Sequence, residues 1–209
     1  MNISLGLGSK FNKKIAVIAI AVIVIVAVVA ALQIFQLFQK QPSSNSGSNI
    51  ILPATNLTVT GANGQELVLN SSDLASLKAY TAVGGYKRGE GSIQGVGNYT
   101  GVPILTIFNL VGGITSNSTI RVTGADNFKV TYTYQQVNGQ ELNTFDPVTG
   151  NATQATEPLT MIVAYYLDGA SLPSSDGPLK IAIVGPQGLL TDGRLWTRLL
   201  VKIEILNST

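Results

Sequence analysis

The chain contains 209 residues, of which 45% are hydrophobic and only 11% are charged, against about 25% charged residues in typical soluble domains. Cysteine and histidine are both absent, which excludes disulfide bonds, Cys or His metal sites, thiolate nucleophiles and a histidine general base. The formal net charge of +2 is too small to indicate a nucleic-acid partner. We therefore expect no catalytic or metal-ligating residues, and the apolar excess favours a membrane segment.

The most apolar segment covers residues 15–32, which are all Ile, Val, Ala or Leu, and its apolar character continues to Phe38. About 20 such residues cross a hydrocarbon core as a helix, so residues 15–38 are predicted to form a single transmembrane signal-anchor helix in contact with membrane lipid. Basic residues flank this segment mainly on its N-terminal side, and such flanks stay in the cytoplasm. We expect residues 1–14 to be a cytoplasmic basic flank, with the chain beyond the helix lying outside the cell membrane.

One alternative is that the apolar segment is removed. Val29, Ala30 and Ala31 are small enough for a signal peptidase, so the segment could be a cleaved signal peptide. The region beyond it is extracytoplasmic under either interpretation.

The region after the membrane segment has its own charge balance. Residues 39–55 are rich in Ser, Asn and Gln and are predicted to be a flexible polar linker. Four of the thirteen Lys and Arg residues lie before residue 41, whereas all eleven Asp and Glu residues follow it, so the remainder has a formal charge of −2. Residues 56–209 are predicted to form an extracytoplasmic β-rich globular domain.

The acceptor tripeptide for N-linked glycans, Asn-x-Ser/Thr, is frequent in this chain. Seven copies occur, whereas chance pairing in this composition gives roughly two or three. Asn2 lies on the cytoplasmic side and is expected to stay unmodified. The six predicted glycan sites are Asn56, Asn70, Asn98, Asn117, Asn151 and Asn207. A sparsely charged, glycan-bearing exterior resembles the general composition of archaeal cell-surface proteins.

Short alternating segments favour β structure in the first part of the outer region. Residues 57–60 and 66–69 are predicted to form a hairpin. Asn70 is a predicted N-cap for a short helix. A strand is predicted at residues 80–83, followed by a glycine-rich loop at residues 84–97.

The second part begins with a helix that follows Pro103, a residue suited to a first helical turn, and that ends at Gly112 and Gly113. Residues 159–166 are apolar and fit either a helix or a strand. Further strands are predicted at residues 118–122, 128–134, 179–184 and 194–205, with an exposed insertion at residues 138–157.

The order of these motifs resembles the molybdopterin-binding domain of sulfite-oxidase-type oxidoreductases. The segments that carry the resemblance are residues 57–61, 68–74, 99–104, 110–113, 122–128, 159–181 and 196–205. Asp126 of the family pattern is kept, whereas Asn127 stands where glycine is usual. The resemblance covers nearly the whole outer region and implies an α+β, β-rich fold of the sulfite-oxidase type, preceded here by one transmembrane helix.

The chain departs from this family at the residue that carries the chemistry. Active members bind molybdenum through a cysteine thiolate, and the resemblance places that position within residues 80–88, which read Tyr-Thr-Ala-Val-Gly-Gly-Tyr-Lys-Arg. Hydroxyl groups are poor substitutes for a thiolate at a soft metal centre, and the histidine that often contacts the pterin is also missing. The resemblance therefore implies a degenerate member without redox activity. No cofactor is expected, although molybdopterin itself stays a possible ligand.

The resemblance also implies a vestigial cofactor cleft. Its candidate residues are Tyr86, Lys87, Arg88 and Tyr99. Glycines around Lys87 and Arg88 leave backbone N–H groups accessible to an anion; the alternative is a solvated basic loop.

Four aspartates beside glycines or turn residues are further candidates for polar chemistry. Paired carboxylates can act as acid and base, but local backbone hydrogen bonding in turns explains such positions equally well. These residues are Asp126, Asp168, Asp176 and Asp192.

Three functional hypotheses follow. The first is a membrane-anchored, glycosylated, non-enzymatic module that acts as a binding or accessory subunit of a membrane or cell-surface complex. The second is an oxidoreductase-related domain that retains a pterin or another organic cofactor. The third is a pilin-like filament subunit whose apolar helix forms the assembly core.

Overall fold

The computed structural model describes residues 52–207, without the side chain of Asn207. The predicted cytoplasmic flank and the transmembrane segment lie outside the described residues, as does nearly all of the predicted linker. Within residues 52–207, no helix combines the length and the apolar character that a membrane crossing requires.

Strands dominate the described region. In chain order they are β1 Asn56–Thr60, β2 Glu66–Asn70, β3 Tyr80–Lys87, β4 Ile93–Pro103, β5 Ser118–Gly124, β6 Lys129–Thr133, β7 Thr144–Phe145, β8 Ala152–Thr153, β9 Thr160–Leu167, β10 Ala170–Ser171, β11 Lys180–Gly185, β12 Leu190–Asp192 and β13 Leu200–Asn207. The helices are α1 Ser71–Ser76, α2 Ile104–Asn109 and α3 Tyr134–Val137, with a 3₁₀ turn at Gly193–Leu195. This content confirms a β-rich fold with few helices.

The first sheet contains five strands in the order β2-β1-β13-β5-β6. The hairpins β1–β2 and β5–β6 are antiparallel, and β13 lies between them, parallel to β1 and antiparallel to β5. Burial alternates strictly along β5, because successive side chains of a strand point to opposite faces. One face of this sheet therefore packs into the core and the other faces solvent.

The second sheet has eight strands, and four of them close into a ring. β4 pairs with both β3 and β9, while β11 pairs with both β9 and β3. The end of β3, beyond its pairing with β11, pairs in parallel with β12. The other edge of β12 pairs with β7. Every residue of β11 is buried, as expected for a strand with partners on both edges and packed faces on both sides.

The start of α1 follows the predicted cap chemistry, whereas Pro103 is the N-cap residue of α2 and lies just before its first turn. The Oδ1 atom of Asn70 accepts hydrogen bonds from the backbone N–H groups of Ser72 and Asp73, and the Asp73 carboxylate accepts one from the Asn70 N–H at 2.9 Å. This capping box satisfies N–H groups that the first turn of α1 leaves without intrahelical partners. α2 begins directly after Pro103, as predicted.

The predicted glycine-rich loop at residues 84–97 is wrong. β3 continues to Lys87 and β4 already begins at Ile93, so the connection is only a few residues long. The glycines are needed for close strand packing: a Cβ atom added to Gly84 would lie 2.6 Å from the carbonyl oxygen of Ile183. Glycine permits such a backbone approach as readily as it permits a turn, and the sequence does not distinguish these roles.

Three other expectations change at their boundaries. The predicted strand 128–134 ends at Thr133, where a second capping box starts α3. The predicted exposed insertion 138–157 contributes β7, which pairs with β12 inside the second sheet. The predicted strand 194–205 forms only from Leu200, since the 3₁₀ turn occupies its beginning. The ambiguous segment 159–166 forms β9.

Candidate functional site

A cleft of about 630 Å³ opens where two parallel strands end side by side. β3 and β12 are paired in parallel at Tyr86 with Thr191 and at Lys87 with Asp192. The loop after β3, the 3₁₀ turn after β12 and the β5–β6 hairpin therefore surround one opening. We call it the arginine cleft; it is lined by Tyr86, Lys87, Arg88, Gly89, Glu90, Asp126, Phe128, Asp192, Gly193, Arg194, Trp196 and Arg198.

Three of the chain's four arginines lie in this cleft. The fourth, Arg121, donates to the Glu204 carboxylate at 2.9 Å on the first sheet. Within residues 52–207, Arg88, Arg194 and Arg198 form no ion pair shorter than 4.0 Å, and all three are exposed. Their guanidinium groups are therefore available to a ligand.

The carboxylates of the arginine cleft accept hydrogen bonds from neighbouring protein groups. Asp126 accepts from the Phe128 N–H at 3.1 Å, and Asp192 accepts from the Asn143 side-chain amide at 2.9 Å. Glu90 accepts from the Ser92 hydroxyl, and a backbone hydrogen bond is the main cause that lowers its pKa. These interactions orient the carboxylates toward protein donors, so the four basic side chains of the cleft outnumber three partly engaged acidic ones.

Lys87 is less available than the arginines. Its Nζ atom donates to the Gly150 carbonyl oxygen at 2.7 Å and lies 4.7 Å from the centre of the Phe145 ring. The side chain therefore ties the end of β3 to the loop that precedes β8. It contributes positive charge to the cleft without a freely movable ammonium group.

Beneath the cleft, one lysine is enclosed by aromatic rings. Lys180 is 1% exposed, and its Nζ atom lies 5.3 Å from the ring centre of Trp196 and 5.6 Å from those of Tyr86 and Tyr99. The same atom donates to the Asp176 carboxylate at 2.7 Å. We call this group the lysine box. Ring faces and a carboxylate together replace the water that a buried ammonium group loses.

Burial has the largest effect on the pKa values within the lysine box. It lowers the pKa of Lys180, the hydrogen bond that Lys180 donates to Asp176 opposes that shift, and nearby Arg198 adds to the lowering. Tyr99 donates its hydroxyl to the Gly95 carbonyl at 2.8 Å, and burial raises its pKa. The box therefore holds its charged pair fixed by packing and hydrogen bonds.

The structure separates the four predicted cleft residues. Tyr86, Lys87 and Arg88 line the arginine cleft. Tyr99 is fully buried in the lysine box and has no surface in the cleft. The sequence does not reveal the strand register that turns the Tyr99 side chain inward, so the prediction placed this residue in the cleft.

Sequence reasoning missed Arg194, Arg198 and Lys180. A signal for Lys180 was present, because it is the one charged residue in an apolar strand that is otherwise typical of a buried core. Arg194 and Arg198 carry no such local signal, since only the pairing of β3 with β12 brings their segment beside Arg88.

Only Asp126 makes the local backbone hydrogen bond expected of a turn residue, whereas the other three candidate aspartates accept from long-range or side-chain donors. Asp168 accepts from the Asn98 N–H at 2.8 Å, and Asp126 and Asp192 make the hydrogen bonds given above. Asp176 instead pairs with Lys180. Residues 52–207 contain no cluster of three or more Asp or Glu side chains that could hold a metal ion.

Five of the predicted glycan acceptors have exposed side chains in the described region. They are Asn56, Asn70, Asn98, Asn117 and Asn151. Asn207 ends β13, and its side chain lies outside the description. None of the five lines the arginine cleft.

Comparisons with known proteins identify the fold only. No family model matches the chain, and no curated protein matches it in sequence. Among solved structures, it is similar to a chain of the sulfane dehydrogenase SoxCD from Paracoccus pantotrophus, with a TM-score of 0.54 and 15% identity. The match covers 74% of this chain and 38% of that one, so this chain spans well under half of the neighbour's length. The likeness supports a fold of the molybdopterin-binding type.

The donor atoms present do not fit a molybdenum centre of the thiolate-bound kind. The chain supplies neither a thiolate nor an imidazole, and β3, where the resemblance places the ligand, offers only hydroxyl side chains and apolar or basic ones. Such a soft metal centre is not held by these groups. The cleft's guanidinium groups are suited instead to an anion.

Proposed function

We propose that this protein is a membrane-anchored, extracytoplasmic binding module that takes an anionic ligand in the arginine cleft. The observation that carries the proposal is the convergence of Arg88, Arg194 and Arg198, none of which has an ion-pair partner among the described residues. Guanidinium groups form paired, charge-assisted hydrogen bonds with carboxylate, sulfate or phosphate oxygens. Three such groups around one opening also attract an anion before contact.

The floor of the cleft supports a binding role over a catalytic one. Trp196 and Tyr86 line the cleft and also enclose Lys180, whose ammonium group is already engaged by Asp176. The buried ammonium group of Lys180 is therefore not free to transfer a proton to a ligand in the cleft. A packed floor and exposed arginines together suit recognition.

The cellular setting of the proposal comes from the sequence. The apolar segment 15–38 supplies the anchor, with the N-terminus in the cytoplasm and residues 56–209 outside the cell membrane. The exposed acceptor asparagines support N-linked glycosylation of the outer region. In this setting the module acts as a binding or accessory subunit of a membrane or cell-surface complex, with protein partners in the membrane or at the surface and no nucleic-acid partner.

Anion titration of the full chain in lipid nanodiscs tests the binding role. We expect sulfate and pyrophosphate to bind, and the double variant Arg194→Gln/Arg198→Gln to weaken binding by about tenfold or more. Arg121→Gln is the matched control, because it removes an arginine that is ion-paired elsewhere. Equal affinity in the double variant and the native chain would overturn the proposal.

Metal and absorption analysis of protein purified from its native membrane tests the absence of redox function. Stoichiometric molybdenum or a pterin absorption band would favour the oxidoreductase-related alternative. Filaments in electron micrographs, with a trimmed N-terminus, would favour the pilin-like alternative. Co-purification with integral membrane subunits is expected for the accessory role.

A further inference from the structure

A second opening of about 440 Å³ continues from the arginine cleft. The two share Phe128, Asp192 and Arg194 in their walls. One side of the second opening follows β6, and the other is formed by residues 141–143 together with Asp192, Arg194 and Leu195. Together the two openings form one elongated groove, whose arginine end lies beside the start of β6.

The strand that follows this groove has an open edge. β6 is the terminal strand of the first sheet and pairs only with β5 within the described residues. The Gly124 N–H donates to the Phe128 carbonyl, and this bond fixes which residues of the hairpin exchange hydrogen bonds. By the alternation of an antiparallel ladder, the N–H and C=O groups of Lys129 and Thr131 point away from β5, into the groove.

The charge along the groove is graded. The arginine end contains Arg88, Arg194 and Arg198, and Lys129 lies at the adjoining end of β6. Glu141 lies in the second opening, and the carboxylate of Asp192 is engaged by Asn143. An extended ligand therefore meets positive charge at one end and polar backbone groups along the other.

We propose that the groove binds an extended acidic peptide segment of a partner protein, which adds to β6 as an antiparallel strand and places its carboxylates among the arginines. The inference rests on the proposed function, because it takes the arginine cleft as the anion-binding end of the groove. Backbone pairing at a sheet edge supplies affinity, and side chains supply specificity. In the antiparallel direction, the carboxylates lie at the C-terminal end of the segment.

The glycan pattern leaves this edge accessible. None of the acceptor asparagines with described side chains lines either opening of the groove. On the other edge strand of the sheet, β2, Asn70 is an acceptor asparagine. A glycan there would cover β2 while leaving β6 open to a partner.

The test uses a fluorescein-labelled peptide of alternating valine and threonine that ends in two glutamates, titrated into the full chain in nanodiscs. Its comparison peptides carry two terminal lysines, or N-methyl groups on alternate backbone nitrogens. We expect the lysine and the N-methylated peptides each to bind at least about tenfold more weakly, because one loses the charge match and the other the strand pairing.

A proline on the edge strand provides the matched protein variant. Thr131→Pro removes an N–H that points into the groove without removing a bond to β5, and proline is tolerated at such edge positions. Val68→Pro makes the same change on β2, where the alternation also turns the N–H outward. We expect Thr131→Pro to weaken peptide binding about tenfold and Val68→Pro to leave it unchanged.

The outcomes separate this inference from the proposed function. Strand addition is overturned if the native chain binds the N-methylated peptide as tightly as the unmodified one and if Thr131→Pro binds the unmodified peptide as tightly as the native chain does. The anion site stands in that case. If sulfate and pyrophosphate binding is also insensitive to the arginine variants, the anion site falls as well. Loss of peptide binding in Thr131→Pro with unchanged pyrophosphate binding supports strand addition and shows that the variant is folded.

Discussion

Lys180 donates a 2.7 Å hydrogen bond to Asp176 from a position that is almost fully buried, while Asp176 itself keeps 14% of its side chain exposed. The pair is therefore asymmetric. Removing the carboxylate leaves an unpaired charge buried in the core, whereas removing the ammonium group leaves a carboxylate that water can reach. The asymmetry determines how the two partners respond to substitution.

Asp176→Asn is expected to lower the free energy of unfolding by about 3 kcal/mol, because it leaves a buried ammonium group without its counter-charge. Lys180→Met should cost less, since an apolar side chain of similar length fills the space between the rings. The fluorescence of Trp196, the only tryptophan, reports the unfolding directly. The double variant should recover most of the loss, and strictly additive costs would show that the two side chains are not coupled.

The stability of the folded region should depend on alkaline pH through Lys180. Burial lowers its pKa below the ordinary value of 10.5, so in the window below that value the unfolded chain holds more protons than the folded one. The free energy of unfolding contributed by this group therefore rises with pH through the window. Buried Tyr99 and Tyr132, whose pKa values are raised, act in the opposite direction.

The comparison that isolates the lysine is between native protein and Lys180→Met across that pH range. The tyrosines are common to both, so the unfolding free energy of the native protein should rise relative to that of Lys180→Met as pH increases. A difference that is constant with pH would contradict the lowered pKa.

Gly84→Ala is expected to destabilise the second sheet by about 1–3 kcal/mol, because the added Cβ would meet the Ile183 carbonyl oxygen at 2.6 Å and the backbone has to shift. Gly89→Ala is the matched control: a Cβ there has no neighbour within 4 Å. Urea denaturation of both variants measures the difference. Equal midpoints would show that the β3–β11 approach is looser than described.

Asn70 combines two roles that can be separated. Asn70→Ala should lose about 1 kcal/mol of stability, because it removes the cap of α1, and should also abolish any glycan at this position. Ser72→Ala abolishes the acceptor tripeptide but leaves the cap oxygen of Asn70 in place. Intact mass and unfolding midpoint, measured on protein from a glycosylating host, distinguish the two effects. A large loss of stability in Ser72→Ala would show that the glycan itself stabilises the fold.

Local chemistry was sufficient to predict part of the fold. The cap at Asn70 and the helix after Pro103 depend on residues within one turn of each other, so their signals are contained in short stretches of sequence. The segment around Gly84 was misassigned because its glycines serve contacts with β11, which lies about 100 residues away in the chain.

The candidate site was predicted only where it lies on one contiguous segment. Tyr86, Lys87 and Arg88 are neighbours in sequence and were identified together. Arg194 and Arg198 join them through the parallel pairing of β3 with β12, and parallel partners require a long crossover that periodicity alone does not reveal. The residues on one contiguous segment were therefore predictable, whereas the arginines brought in by non-local strand pairing were not.

The central position of β13 has a consequence for biogenesis. Both hairpins of the first sheet are complete before residues 200–207 are made, yet they meet only through that strand. Two-stranded ribbons are marginal on their own in water. During synthesis, the two hairpins therefore cannot be joined into one sheet until β13 has been made.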